Sequence, residues 1–287
     1  MKKLTALFLC VSMLLACVSA FAESQDNTET DGSGQVHFFE SNEESTALQE
    51  SVPACEPYVP GELEKAVIGA DNRVTVNNTS QWPYSAIAMM DVVGECGDRW
   101  SASGFLVGDK GLFLTAAHCL VCSKHSKWAN NINFYFGYKS SKNYLYKYNG
   151  RWDAWVGNLF SNRNYSIEKD YAVVNISSKV PEKVGYFGAY WADSDTGIQS
   201  YYAYVAGYRD GKLRYDSGFL SVLDSDHVKY VMDDVAGNSG GPIYTSDGYA
   251  IGIIIADSSD RYGNPVYNIG YRLTYEVWKK AEEYRGK

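Results

Sequence analysis

From residue 67 onward, short runs rich in Val, Ile, Tyr and Phe alternate with turn residues. The runs at 84–90, 104–107, 112–116, 132–137, 171–176, 201–206, 229–232, 250–255 and 266–271 are each of strand length. Between them stand the turn formers Asn149-Gly150, Arg209-Asp210-Gly211 and Ser246-Asp247-Gly248. Many short strands punctuated by turns, with no helical period between them, predict an all-β sandwich or barrel. A helix is predicted only at the end, over 274–285, where Val277, Trp278, Ala281 and Tyr284 recur at near-helical spacing and Thr274 can cap the first turn. No internal repeat is visible. A body of about 220 residues suits two small barrels better than one.

The pattern is different ahead of residue 67. Lys2 and Lys3 precede an apolar run over 4–18, and Ala20-Phe21-Ala22 offers the small-x-small pattern of a signal-peptidase site, so an export signal over 1–22 is expected, with a soluble, secreted product. Leu14-Leu15-Ala16-Cys17 gives the alternative of a lipid anchor at Cys17. Residues 23–65 hold eleven acidic side chains against one base, Lys65, and few branched apolar residues. Such a segment cannot bury enough surface to fold alone, so a disordered acidic propeptide is expected there. The remainder, 66–287, carries 23 basic and 23 acidic residues, and a neutral body gives no electrostatic reason to expect nucleic acid as a partner. No later stretch approaches the apolar length needed to cross a bilayer.

Gly237-Asn238-Ser239-Gly240-Gly241-Pro242 is the strongest chemical motif. A Ser among glycines permits a tight backbone from which the hydroxyl projects, and the amides of Gly237 and Ser239 can face one developing oxyanion. A serine hydroxyl needs a base. His118, at the end of the apolar run Leu114-Thr115-Ala116-Ala117, is the best placed of four histidines; His37, His125 and His227 stand in polar surroundings and read as surface residues. An imidazole in turn needs an orienting acid, and Asp170 enters the Val-rich run 171–176. The order His118, Asp170, Ser239 differs from that of α/β-hydrolases and of subtilisins and matches the chymotrypsin type.

With those residues in place, the chain resembles trypsin-like serine endopeptidases, and more narrowly the secreted bacterial glutamyl endopeptidases. The likeness includes Val67-Ile68-Gly69-Ala70-Asp71-Asn72-Arg73, Trp82-Pro83-Tyr84-Ser85-Ala86-Ile87, Thr115-Ala116-Ala117-His118-Cys119, Lys169-Asp170-Tyr171 and Val184-Gly185-Tyr186-Phe187-Gly188, besides the Ser239 motif. It implies two six-stranded antiparallel β-barrels with the active site between them, a C-terminal helix, and peptide-bond hydrolysis through an acyl-enzyme. It implies activation by cleavage between Lys65 and Ala66. It also implies a Cys96–Cys119 disulfide, leaving Cys122 alone or paired with Cys55. Asn238 stands where animal trypsins place the Asp that pairs with the new N-terminus, so that switch is absent.

Specificity departs from the glutamyl pattern. Ile254 replaces the pocket His, and Asp234 stands where a small hydroxyl residue would be. Asp233 has the spacing of the trypsin pocket carboxylate, and Asp257 follows near the pocket rim. A buried carboxylate favours a cation, so Lys/Arg preference is expected, with neutral or Glu preference as the alternatives. No cofactor is expected and no metal, since no Cys/His group has zinc spacing. Protein or peptide substrates and a monomer are expected; a non-catalytic surface-binding homologue is the rival class.

Overall fold

In a computed structural model of the chain, the described residues are 34–38, 67–108, 111–122, 124–156, 160–161, 164–165, 167–176, 180–191 and 195–284. Twelve of the strands among the described residues build the core of the two main sheets. The first six are β1 (Ile87–Gly94), β2 (Arg99–Leu106), β3 (Leu112–Thr115), β4 (Lys127–Phe136), β5 (Trp152–Val156) and β6 (Ala172–Asn175). The second six are β7 (Tyr202–Arg209), β8 (Lys212–Val222), β9 (His227–Tyr230), β10 (Pro242–Tyr244), β11 (Tyr249–Ser259) and β12 (Pro265–Arg272), followed by helix α1 (Tyr275–Tyr284).

The second set closes on itself: β11-β10-β7-β8-β9-β12 is an antiparallel circuit completed by β12 pairing back to β11. The first set, in the order β4-β1-β2-β3-β6-β5, curls without a β4–β5 pairing among the described residues. The two-barrel expectation holds: one barrel is closed, and the other is a curled sheet among the described residues. Each strand buries one face, as the alternating pattern of β4 illustrates, with Ile132, Phe134 and Phe136 inside. Phe113 packs edge-on against Phe134 at 5.0 Å between ring centres. The ring also crosses Gly104 of β2, where a Cβ would lie 2.3 Å from it, so only glycine fits there.

Two other expectations are revised. Tyr84–Ala86 is a short 3-10 turn, not the start of a strand, and β1 begins at Ile87. Gly34–Phe38, expected to be disordered, is a strand parallel to β5, with Gly34 opposite Trp152 and Phe38 opposite Val156. The reason lies in β5, whose outer edge offers unpaired backbone groups to any strand-forming segment. The helix behaves as predicted: the Val277 amide donates to Thr274 Oγ1 at 3.3 Å, and Val277 and Ala281 are buried. Residues 1–33 and 39–66, with Cys10, Cys17, Cys55, Lys65 and Ala66, lie outside the described residues, as does Arg285.

Candidate active site

β3 is short, apolar and buried throughout, and it ends in the 3-10 turn Ala117–Leu120 that carries His118. β6 runs antiparallel to it, with Ala172 opposite Thr115. Two residues further along the same register, Asp170 stands beside the His118 turn. Its carboxylate is fully buried and grips the histidine twice: Oδ1 accepts the His118 amide at 2.9 Å, and Oδ2 lies 2.7 Å from Nδ1. A carboxylate can only accept, so Nδ1 carries the proton and Nε2 presents its lone pair. Burial opposes charging of the ring. The negative charge of Asp170, together with the Cys119 thiol 3.7 Å from Nε2, outweighs it, so the His118 pKa is raised above the ordinary imidazole range.

Ser239 lies between β9 and β10 in a loop whose backbone reaches φ of +101° at Gly237 and +81° at Gly240. A Cβ on Gly240 would stand 2.1 Å from Thr115 Oγ1 and 2.2 Å from the Ser103 carbonyl, so the loop lies directly on the first sheet. The amides of Asn238, Gly240 and Gly241 are spent on the carbonyls of Val235, Ile254 and Asn238. Gly237 and Ser239 are the amides that the oxyanion reading assigns.

Two positioning residues had no signal in the sequence. Ser103, fully buried in β2, donates its amide to the Ser239 carbonyl at 3.0 Å and its hydroxyl to the Gly237 carbonyl at 2.8 Å. The same hydroxyl accepts the Tyr208 amide of β7 at 2.8 Å, so one side chain joins β2, β7 and the Ser239 loop. His227, expected at the surface, is 3% exposed. Its Nδ1 lies 2.7 Å from Asp224 Oδ1 and its Nε2 lies 2.9 Å from the carbonyl of Ile167, in the turn that leads to Asp170. A lone His in a polar string looks exposed; only the pairing of β9 with β12 brings it inside.

The pocket residues are rearranged relative to expectation. Asp233 offers no free carboxylate to a substrate: Oδ1 accepts the Ile68 amide at 2.9 Å and Oδ2 the Asn72 amide at 2.6 Å. It anchors the start of the body to the Ser239 loop. Ile254 is fully buried in the core of the second barrel with Ile243 and Ile251, so it packs there and does not line a pocket wall. Asp234 is fully buried, and its charge, with that of Asp257, faces the Tyr230 hydroxyl. Burial first, then these carboxylates, push the Tyr230 pKa well up. Arg73 is paired with Asp71 through Nε at 2.8 Å and Nη2 at 2.7 Å, while its buried Nη1 has no hydrogen-bond partner among the described residues.

The cysteines do not pair as the resemblance implied. Among the described residues, Cys96, Cys119 and Cys122 form no disulfide. Cys119 follows His118 into the turn, with its Sγ 3.7 Å from His118 Nε2, whereas Cys96 Sγ lies within 4.8 Å of Cys122 Sγ. The expectation of no metal-ligand cluster also fails, because Cys96, Asp98, Cys122 and His125 converge.

Two antiparallel sheets, with the Ser239 loop laid on the first and the paired His118 and Asp170 at the end of β3, make a chymotrypsin-like fold. The family model described as a trypsin-like peptidase domain matches residues 102–253, and the chain belongs to that family. A glutamyl endopeptidase of Bacillus licheniformis is 27% identical over 272 residues, covering 88% of this chain and 77% of the relative. A Bacillus subtilis protein named extracellular metalloprotease is 23% identical, covering 83% of this chain and 73% of its own. Among solved structures, a Glu endopeptidase in complex with MPD superposes with a TM-score of 0.63 at 20% identity, over 77% of this chain and all of that one.

Proposed function

We propose that the chain is a secreted serine endopeptidase in which His118, Asp170 and Ser239 act as a triad. The observation that carries this is the double hold of Asp170 on His118, which leaves Nε2 as the proton acceptor. His118 takes the proton of Ser239 Oγ as that oxygen attacks the scissile carbonyl carbon. The oxyanion that forms is met by the Gly237 and Ser239 amides. His118 then gives its proton to the amine as the C–N bond breaks, leaving an acyl-enzyme on Ser239. A water, deprotonated by His118, attacks the acyl carbon, and Oγ leaves with the returned proton. Although one relative is named a metalloprotease, this sequence of steps needs only the three side chains and the two amides.

For the acyl-side residue, the chemistry favours Lys or Arg. Asp234 and Asp257 bring negative charge to the region around Tyr230, and Arg73 is already paired with Asp71. The second reading, Glu preference, is favoured by the names of the relatives; the buried Nη1 of Arg73 would then receive the substrate carboxylate. Residues 1–22 serve as the export signal in this reading, and 23–65 as a propeptide released by cleavage between Lys65 and Ala66. Protein recovered from the medium after expression of the whole chain, given a peptide library beside its Ser239→Ala variant, tests all of this. Cleavage after Lys or Arg, absent in the variant, is expected. Cleavage after Glu would transfer specificity to Arg73, and equal cleavage by both proteins would remove the triad.

A further inference from the structure

We propose that Cys96, Asp98, Cys122 and His125 form a four-ligand zinc site that staples the β1–β2 hairpin to the segment following His118. One donor atom from each side chain lies within 4.8 Å of all the others. Cys122 Sγ is 3.6 Å from Asp98 Oδ2 and 3.6 Å from His125 Nδ1, and the latter two atoms are 3.0 Å apart. Tetrahedral zinc, with bonds of about 2.3 Å to sulfur and about 2.0–2.2 Å to nitrogen and oxygen, separates a sulfur from a nitrogen or oxygen ligand by about 3.6 Å and a nitrogen from an oxygen by about 3.4 Å. The sulfur distances already have that length. The His125–Asp98 distance is shorter, as befits a direct ion pair that a metal would open by a few tenths of an ångström.

The backbone holds the four donors independently of any ion. The Gly94 amide donates to the Asp98 carbonyl at 3.0 Å and the Gly97 amide to the Gly94 carbonyl at 2.9 Å, with Gly97 at φ of +84°, which presents Cys96 and Asp98 on one tight turn. On the other side, the amides of His125 and Ser126 both donate to the Cys122 carbonyl, curling Cys122 and His125 toward each other. The Glu95 amide ties the two turns together through the Trp128 carbonyl at 2.9 Å. A Cys96–Cys122 disulfide would account for two sulfurs but not for a carboxylate and an imidazole aimed at the same point. With two thiolates, a carboxylate and a neutral imidazole, the donor set suits zinc and fills all four positions, which makes the site structural. Binding releases two thiol protons to solvent, so affinity falls as pH falls. The staple bears on catalysis by position: the segment Val121–Cys122 continues directly from the His118 turn, and the Trp100 indole of β2 donates to the Cys119 carbonyl at 2.8 Å.

The test uses the full-length chain, purified once without and once with reductant and chelator. Protein prepared without either is expected to hold one zinc per chain, with Cys96 and Cys122 protected from alkylation until chelator is added. Stripped, reduced protein should take up one cobalt(II), with the thiolate charge-transfer band and intense visible bands of a tetrahedral sulfur-ligated ion, and zinc should bleach them. Cys122→Ser should abolish the spectrum, His125→Ala on the exposed side should weaken binding at least tenfold, and Cys119→Ser should leave it intact. A Cys96–Cys122 disulfide with no zinc, or free thiols that give no tetrahedral cobalt spectrum, would overturn the proposal.

Discussion

At the residue scale the proposed triad turns on Asp170. Its carboxylate sets which nitrogen of His118 bears the proton and raises the affinity of the ring for a second one. Only the neutral ring can accept the Ser239 proton, so kcat/KM should rise with pH to a plateau, with a midpoint above the usual imidazole value of about 6.5. Asp170→Asn should cost about four orders of magnitude in kcat, because an amide lets the ring sit as the wrong tautomer. The midpoint of the residual activity should move down, since the charge that raised it is gone; a pH–rate profile of the variant reads both effects. Asp233 illustrates the limit of reading one residue by spacing. Its position suggested a pocket floor, but spacing does not reveal that two amides of the 67–73 segment occupy both oxygens.

At the element scale, the strands next to His118 and Asp170 were legible because their runs are almost wholly apolar, as in β3 and β6. β8 was not. Its sequence Lys-Leu-Arg-Tyr-Asp-Ser-Gly-Phe-Leu-Ser-Val buries little besides Leu213 and Leu220, and it forms because the Asp210-Gly211 turn, with both residues at positive φ, folds it back on β7. The Ser239 loop depends on a backbone that no side chain permits at position 240. Gly240→Ala should therefore lose more than about 2 kcal/mol of stability, from φ strain and collision with Ser103 and Thr115. Activity should fall with it, as denaturant unfolding and a turnover assay together would record. Thr274→Ala removes the cap of α1 and should cost about 1 kcal/mol, with a Tm lower by about 2–4 °C and kcat unchanged.

At the scale of the whole molecule, the proposed triad takes its base and acid from the first sheet and its nucleophile from the closed barrel, so their relative placement would decide whether the site works. Ser103 fixes it through three hydrogen bonds reaching Ser239, Gly237 and Tyr208. Ser103→Ala keeps the amide contact but strands the Gly237 carbonyl and the Tyr208 amide. A loss of about 2 kcal/mol or more in stability and at least tenfold in kcat is expected, with KM little changed, because the defect lies in alignment and not in substrate contact. Contacts of this kind join residues far apart in the chain, as do Cys96 with Cys122 and His227 with Ile167, and no local pattern announces them. The His-Asp-Ser order was legible for the opposite reason: each member sits in a distinctive local string.

The central claim is that Ser239 is a nucleophile activated by His118. Reaction of the processed, folded protein with a serine-directed phosphonyl fluoride, followed by peptide mass analysis across a pH series, tests it most directly. The account predicts one adduct, on Ser239, forming more slowly as pH falls below the His118 midpoint and absent from Ser239→Ala. Folded protein that takes no label, or a Ser239→Ala variant labelled as fast as the parent, would contradict it.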